Sequence, residues 1–250
     1  MKWGAPEHGP SMHSPSFMSR RFDRVVLRSI ACRKISGLHA DHAYQMIAGN
    51  RRKPEECLRS LNNYSRGAHH DPGVRLHDAT EMLAGCGVGE FGPTTWADLG
   101  CGTGTFTIAL ADLLPPGSVI HAIDRDGQAL RKIPSSHKSV SITTHRGDFT
   151  KQMWPCDHLD GILMANSLHY VDDQATFIRA CEARMTSLRR FLIVEYDTHE
   201  ANRWVPYPVP QTRLTALFTA AGYSSITLLR SRPSVYRRAA LYAAVVTAPA

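Results

Sequence analysis

The sequence predicts an α/β protein built on a doubly wound, mostly parallel sheet. Three observations lead to that class. Short apolar runs recur between residues 96 and 246, and helical patterns separate several of them. The first run, Trp96 to Leu99, ends in a glycine-rich turn that opens onto a helical pattern. A later run, Arg189 to Asp197, has a nearly continuous apolar centre, as a strand covered on both faces does.

The regular pattern starts at Val74. Leu76, Ala79, Thr80, Met82 and Leu83 share one helical side, and Gly85 is a C-terminal stop. After a loop with Gly89, Gly92 and Pro93 comes the first strand, Trp96 to Leu99. Thr105 to Leu114 repeats Phe106, Ala109, Leu110, Leu113 and Leu114 at helical spacing and stops at Pro115-Pro116-Gly117. "GSVIHAID" supplies a second strand ending at Asp124, and "SVSITTHRGD" a third with Asp148 just beyond it. "LDGILMAN" is a fourth strand. A helix is expected over Asp172 to Ser187, with Phe177, Ile178, Cys181, Met185 and Leu188 near one face, and "RRFLIVEYD" follows as the fifth strand. A last helix, about Gln211 to Ala221, precedes two strands around Ile226 to Arg230 and Leu241 to Val246.

Composition narrows the class of function. With 250 residues, 43% of them apolar, the chain can bury one sizeable core, so one large domain with an appendage is expected. No window approaches 18 consecutive apolar residues, and the N-terminus has no apolar signal core; the expectation is a cytoplasmic protein with no membrane span. The cysteines, Cys32, Cys57, Cys86, Cys101, Cys156 and Cys181, are scattered without a CxxC pair, which points to free thiols rather than zinc or a disulfide framework. The net charge of +7 is concentrated at one end: residues 1–73 hold 12 Lys+Arg against 6 Asp+Glu. Residues 74–250 are almost neutral, so a nucleic-acid substrate does not follow from the charge alone.

Residues 1–73 also differ in texture. The opening, rich in Pro, Ser, Gly and His, reads as disordered, while Phe22, Val25, Val26 and Ser29 lie at the spacing of a short basic amphipathic helix. His69 and His70 precede Pro72 in a turn and have no third residue spaced to complete a metal site, so no metal is expected. The segment is either a basic arm or an upstream extension, with the domain occupying 74–250.

The glycine turn carries the chemistry. Glycines admit backbone angles and a close approach that a Cβ forbids, and the following helix start offers unpaired N–H groups to a polar or anionic ligand. Gly100, Gly102 and Gly104 form GxGxG with Thr105 next, which departs from the GxGxxG of dinucleotide folds, and the chain has no GxxxxGK[ST] phosphate loop. Asp124 ends the next strand, placing a carboxylate where it can accept from both hydroxyls of a ribose. Asp148, ending the third, is positioned to accept from an adenine amino group while Phe149 or Ile123 packs on the ring.

"DLGCGTG" from Asp98 to Gly104, "IHAIDRD" around Asp124, "RGDF" around Asp148 and "DGILMANSLHYV" from Asp160 resemble the successive motifs of class I S-adenosylmethionine-dependent methyltransferases. The resemblance spans about residues 76 to 247. It implies a Rossmann-like, seven-stranded sheet whose last strand is antiparallel, and S-adenosyl-L-methionine as cofactor. It places Asp98, Gly100, Cys101, Gly102 and Gly104 at the methionine half, Asp124 with Arg125 at the ribose, Asp148 and Phe149 at the adenine, and Asn166 beside the methionine moiety.

The acceptor side is expected from the same motifs. Nucleobase N-methylating relatives carry an Asn/Asp-Pro-Pro-aromatic segment after the fourth strand, whereas Asn166-Ser167-Leu168-His169 has neither proline. "LHYVDD" resembles small-molecule enzymes of the ubiquinone-biosynthesis type, so a small-molecule acceptor is expected. His169, just past the fourth strand, is the candidate general base, with Tyr170, Glu195 and Tyr196 as further candidates and His77 as a residue able to face or cover the cofactor pocket. The segment "EYDTHEANRWVPYPVP" makes a stiff loop whose Trp204 and Tyr207 either line an acceptor pocket or pack on the core. The alternatives are an RNA methyltransferase that uses the basic arm and a regulatory protein of the same fold; an NAD-dependent oxidoreductase is disfavoured by Thr105.

Overall fold

The computed structural model describes residues 74–90, 92–151, 154–233 and 239–248. The expected basic arm, its amphipathic helix and the His69–His70 turn all lie outside the described residues.

Each strand forms where the apolar runs predict. They are β1 (Thr95–Leu99), β2 (Val119–Asp124), β4 (Val140–Arg146), β5 (Leu159–Ala165), β6 (Met185–Asp197), β7 (Ser225–Pro233) and β8 (Ala240–Thr247), with a two-residue β3 (Ser136–His137) added at one edge. The strand order is β3-β4-β2-β1-β5-β6-β8-β7. From β4 through β6 neighbours are parallel, while β8 runs antiparallel to both β6 and β7. Thus the seven expected strands are present, and β3, antiparallel to β4, is the eighth.

Period-two alternation sends successive residues to two cores. In β6, Leu192 and Val194 enter one, Phe191 and Ile193 the other. The first core holds α1 (Leu76–Leu83) and α2 (Thr105–Leu113); α3 (Gly127–Leu130) caps the turn after β2. The second core is covered by α4 (Gln174–Glu182) and α5 (Gln211–Ala220), where Tyr223 meets Phe191 and Phe218 edge to face. The central strands are locked by one size match. Trp96 of β1 lies over Gly161 of β5, where any Cβ would come within 2.3 Å of the indole.

Two expectations need correction. The helix expected to reach Ser187 ends at Glu182, and Met185 already pairs with Leu159 in the sheet. Arg184 explains the stop: its guanidinium donates to the carbonyls of Trp154 and Cys156 and pairs with Asp157 at 2.7 Å, turning the chain back onto β5. Leu76, expected on the buried side of α1, is 41% exposed in the first turn of that helix. Among the described residues no helix is long and apolar enough to cross a membrane.

Candidate functional site

β1 ends at Leu99, and the chain must then turn sharply to start α2. Gly100, Gly102 and Gly104 take φ of +80°, +54° and +86°, the left-handed region that favours glycine. A Cβ on Gly100 would meet the Ser167 Cβ at 2.7 Å, and one on Gly104 the Ile133 side chain at 2.7 Å. Gly100 N and Cys101 N both donate to the Ile123 carbonyl, which fastens the turn to the end of β2. Cys101 is buried beside Asp98 and Asp124; burial first, then those charges, raises its pKa far above the usual range, so it stays a thiol.

Asp124, at the end of β2, spans this turn. One carboxylate oxygen accepts from Gly102 N (2.9 Å) and the other from Asp126 N (2.8 Å). Each oxygen keeps a lone pair for a further donor. Arg125 follows it, and its charge reaches both Asp148 and Tyr170. Asp98 is fully buried on β1. Its Oδ2 accepts from Thr107 Oγ1 at 2.6 Å, while Oδ1 is without a protein partner. Burial raises its pKa to about 7, against the Thr107 hydrogen bond and with help from the Asp124 charge.

Two further polar atoms without a protein partner, Asn166 Oδ1 and Ser167 Oγ, lie just past the carboxyl end of β5. Asn166 adopts φ +55° with its N–H held by the Val194 carbonyl. Buried polar atoms ordinarily find a partner, so three such atoms near one glycine turn suit a polar ligand. On the other side, Asp148 turns back on Thr150, accepting from its N–H and Oγ1. Although partial burial raises its pKa, these bonds with Lys151 and Arg125 bring it below the usual value. Asp148 and Phe149 help line a cavity of about 320 Å³ with Ile123, His145 and Trp154. His145 is 3.0 Å from His121 on β2, and burial lowers the pKa of both rings.

His169 sits in a 3-10 turn, Leu168–Tyr170, and is buried. Glu195, buried on β6, grips it twice: Oε2 lies 2.6 Å from His169 Nδ1, and Oε1 accepts from the His169 backbone N–H at 3.1 Å. A carboxylate at Nδ1 selects the tautomer with its proton there, leaving Nε2 as the acceptor. Tyr170 packs on the imidazole with centroids 4.4 Å apart, and Tyr196 lies 6.4 Å away. His77 is exposed on α1 and takes no part in this cluster.

Sequence reasoning missed Thr107, Ser167 and Gln174. Gln174 is buried at the start of α4, and its amide donates to the Tyr207 carbonyl at 3.0 Å while accepting from Arg213 Nε. A single hydroxyl or amide has no periodic signature, so only the fold reveals what it holds.

Residues 97–187 match the family profile described as a methyltransferase domain. No curated protein matches the chain. Among solved structures, a SAM dependent methyltransferase from Aquifex aeolicus is 16% identical over 79% of this chain and 98% of its own, with a TM-score of 0.50. The 1,6-didemethyltoxoflavin-N1-methyltransferase of Burkholderia thailandensis, solved with its substrate and S-adenosylhomocysteine, is 18% identical over 81% and 93%, with a TM-score of 0.51. The mitomycin 7-O-methyltransferase MmcR is 19% identical over 82% and 60%, with a TM-score of 0.52. At these identities the structural likeness establishes the fold, and the profile match covers the glycine turn and the ends of β1, β2, β4 and β5. The chain is thus similar to a methyltransferase domain over residues 97–187 and shares the fold of these solved methyltransferases.

Proposed function

We propose that the enzyme methylates a hydroxyl group of a small molecule, with His169 taking the proton. The observation that carries this reading is the buried His169–Glu195 pair, just past the end of β5, whose contact at Nδ1 leaves Nε2 as the acceptor. S-adenosylmethionine, when bound, supplies a methyl group on a sulfonium that is already electrophilic. The residues that fit it are Asp124 and Arg125 at the ribose, Asp148 and Phe149 at the adenine, and Asp98, Asn166 and the Gly100–Gly104 turn at the methionine end. The unpartnered oxygens of Asp98 and Asn166 support this placement.

What remains for the protein is alignment and proton removal. Holding the acceptor oxygen in line with the transferred carbon lowers the barrier by making the encounter intramolecular. As the oxygen–carbon bond forms, the hydroxyl proton passes to His169 Nε2, and Glu195 stabilises the resulting imidazolium. Small-molecule acceptors in the mitomycin and toxoflavin enzymes support the same class here. We also place the domain at residues 74–250, with 1–73 as an extension to it, since α1 begins at Leu76.

Incubating the full chain with methyl-labelled S-adenosylmethionine and sets of phenols, alcohols, amines and RNA tests the reading. Label in an ether product that falls about 10²- to 10⁴-fold in His169→Asn, with cofactor binding retained, is the expected result. Label only in amines or RNA contradicts it.

A further inference from the structure

His169 lies in a three-residue turn outside the sheet, so its orientation has to be fixed by bonds from other elements. Glu195 of β6 holds its backbone N–H and its Nδ1. The His169 carbonyl accepts from Tyr207 N at 3.0 Å, in the loop of residues 198–210 between β6 and α5. Other bonds fasten that loop in turn. Asn202 Oδ1 accepts from Trp204 N and Val205 N at its tip, and Tyr242 OH donates to the Val209 carbonyl at 2.6 Å near its end. At Tyr207 itself the fastening is Gln174.

Gln174 opens α4 and is 2% exposed. Its Nε2 donates to the Tyr207 carbonyl at 3.0 Å and lies 3.5 Å from the carbonyl of Leu168, the residue before His169. Its Oε1 accepts from Arg213 Nε of α5 at 2.9 Å. One amide therefore joins two helices to the loop and to the turn. Methionine would fill a similar volume and leave these groups unpaired, whereas glutamate would keep the Arg213 contact and lose both donors. What the amide grips is the backbone on either side of the imidazole: Leu168 directly, and the His169 carbonyl through Tyr207.

We propose that Gln174 is a positioning residue for His169, holding the Leu168–Tyr170 turn where the Nδ1 proton faces Glu195 and Nε2 is the acceptor. The inference rests on the reading in which His169 takes the proton, and names the residue that keeps it able to do so. Glu195 selects the tautomer only while the ring is held against its carboxylate. An imidazole released from that contact prefers its proton on Nε2, the atom that has to be empty. Loss of the Gln174 amide thus disarms the base, while the Gly100–Gly104 turn, tied to the end of β2 through the Ile123 carbonyl and Asp124, stays as it is.

The test is nitrogen NMR of the isotope-labelled full chain in neutral to alkaline buffer, the His169 imidazole being identified by its absence in His169→Asn. Wild type should show one species, protonated at Nδ1. In Gln174→Met and Gln174→Glu the Nε2-protonated species should rise at least tenfold relative to the other, with unshifted backbone signals from the Gly100–Gly104 turn. Either variant alone gives the answer where the other fails to fold. A residue that only supports packing would lower the melting temperature and leave the tautomer unchanged, which would overturn the proposal. Shifts that spread to the glycine turn, or loss of the fold in both variants, would overturn it as well. Wild type protonated at Nε2 would overturn the proton-accepting reading and this proposal together, whereas an unchanged tautomer in the variants removes the role of Gln174 alone.

Discussion

Asp98 is in tension with its surroundings: a fully buried carboxyl with one hydrogen-bond donor, Thr107, and a second carboxylate, Asp124, nearby. Burial raises its folded pKa to about 7, above the 3.8 of an exposed aspartate, so the folded state holds its proton more tightly than the unfolded chain. Its contribution to stability is therefore complete below pH 3.8 and is lost as pH rises through 7. Denaturant melts of wild type and Asp98→Asn should diverge from pH 5 to pH 8, the variant gaining on the order of 2 kcal/mol over that interval. A difference between them that does not change with pH would show that Asp98 ionises normally. At this scale the glycines and carboxylates were legible in the sequence because each residue type answers a local demand: positive φ in the turn, an acceptor at a strand end. Ser167 and Thr107 were not, since each matters only through a neighbour far along the chain.

Between elements, the register of β1 and β5 depends on Gly161. Trp96 fills the space where a side chain would stand, with indole carbons within 2.5 Å of any added Cβ. Gly161→Ala should destabilise the protein by about 1–3 kcal/mol through overpacking, read as a lower denaturant midpoint with an unchanged slope. A variant as stable as wild type would mean that the indole moves aside without cost. The sequence marks both residues but not their meeting, because pairing between strands is a tertiary fact. The helix drawn too far, to Ser187, shows the same limit: Met185 and Leu188 continue the helical spacing by chance, and the bonds from Arg184 to Trp154, Cys156 and Asp157 end it earlier. The loop of residues 198–210 was legible as stiff and aromatic, whereas its hold on the His169 turn was invisible until Gln174 was placed.

Over the whole molecule, the charge is uneven. Residues 74–250 carry 17 Lys+Arg and 16 Asp+Glu and are nearly neutral, while residues 1–73 hold the excess. A domain that turned over a nucleic acid through six or more phosphate contacts would lose about 10³-fold or more in affinity between 50 and 200 mM salt. With a small-molecule acceptor, KM should change by less than about threefold over that range, as screening affects only single charges. A steep fall with salt would favour an RNA acceptor engaged by the basic extension. The order of the sheet was legible from alternating strands and helices, and the family motifs implied seven strands. The eighth, Ser136–His137, is too short to leave a periodic signal.

The central claim is that the turn from Gly100 to Gly104 and the carboxylate of Asp124 hold S-adenosylmethionine. Calorimetric titration of the full chain with S-adenosylmethionine and S-adenosylhomocysteine, repeated on Asp124→Asn, tests it most directly. The account predicts one site for each in wild type and at least a tenfold loss in the variant, with the melting temperature of the free protein little changed. Equal affinity in wild type and Asp124→Asn, or binding of NAD in place of both, would contradict it.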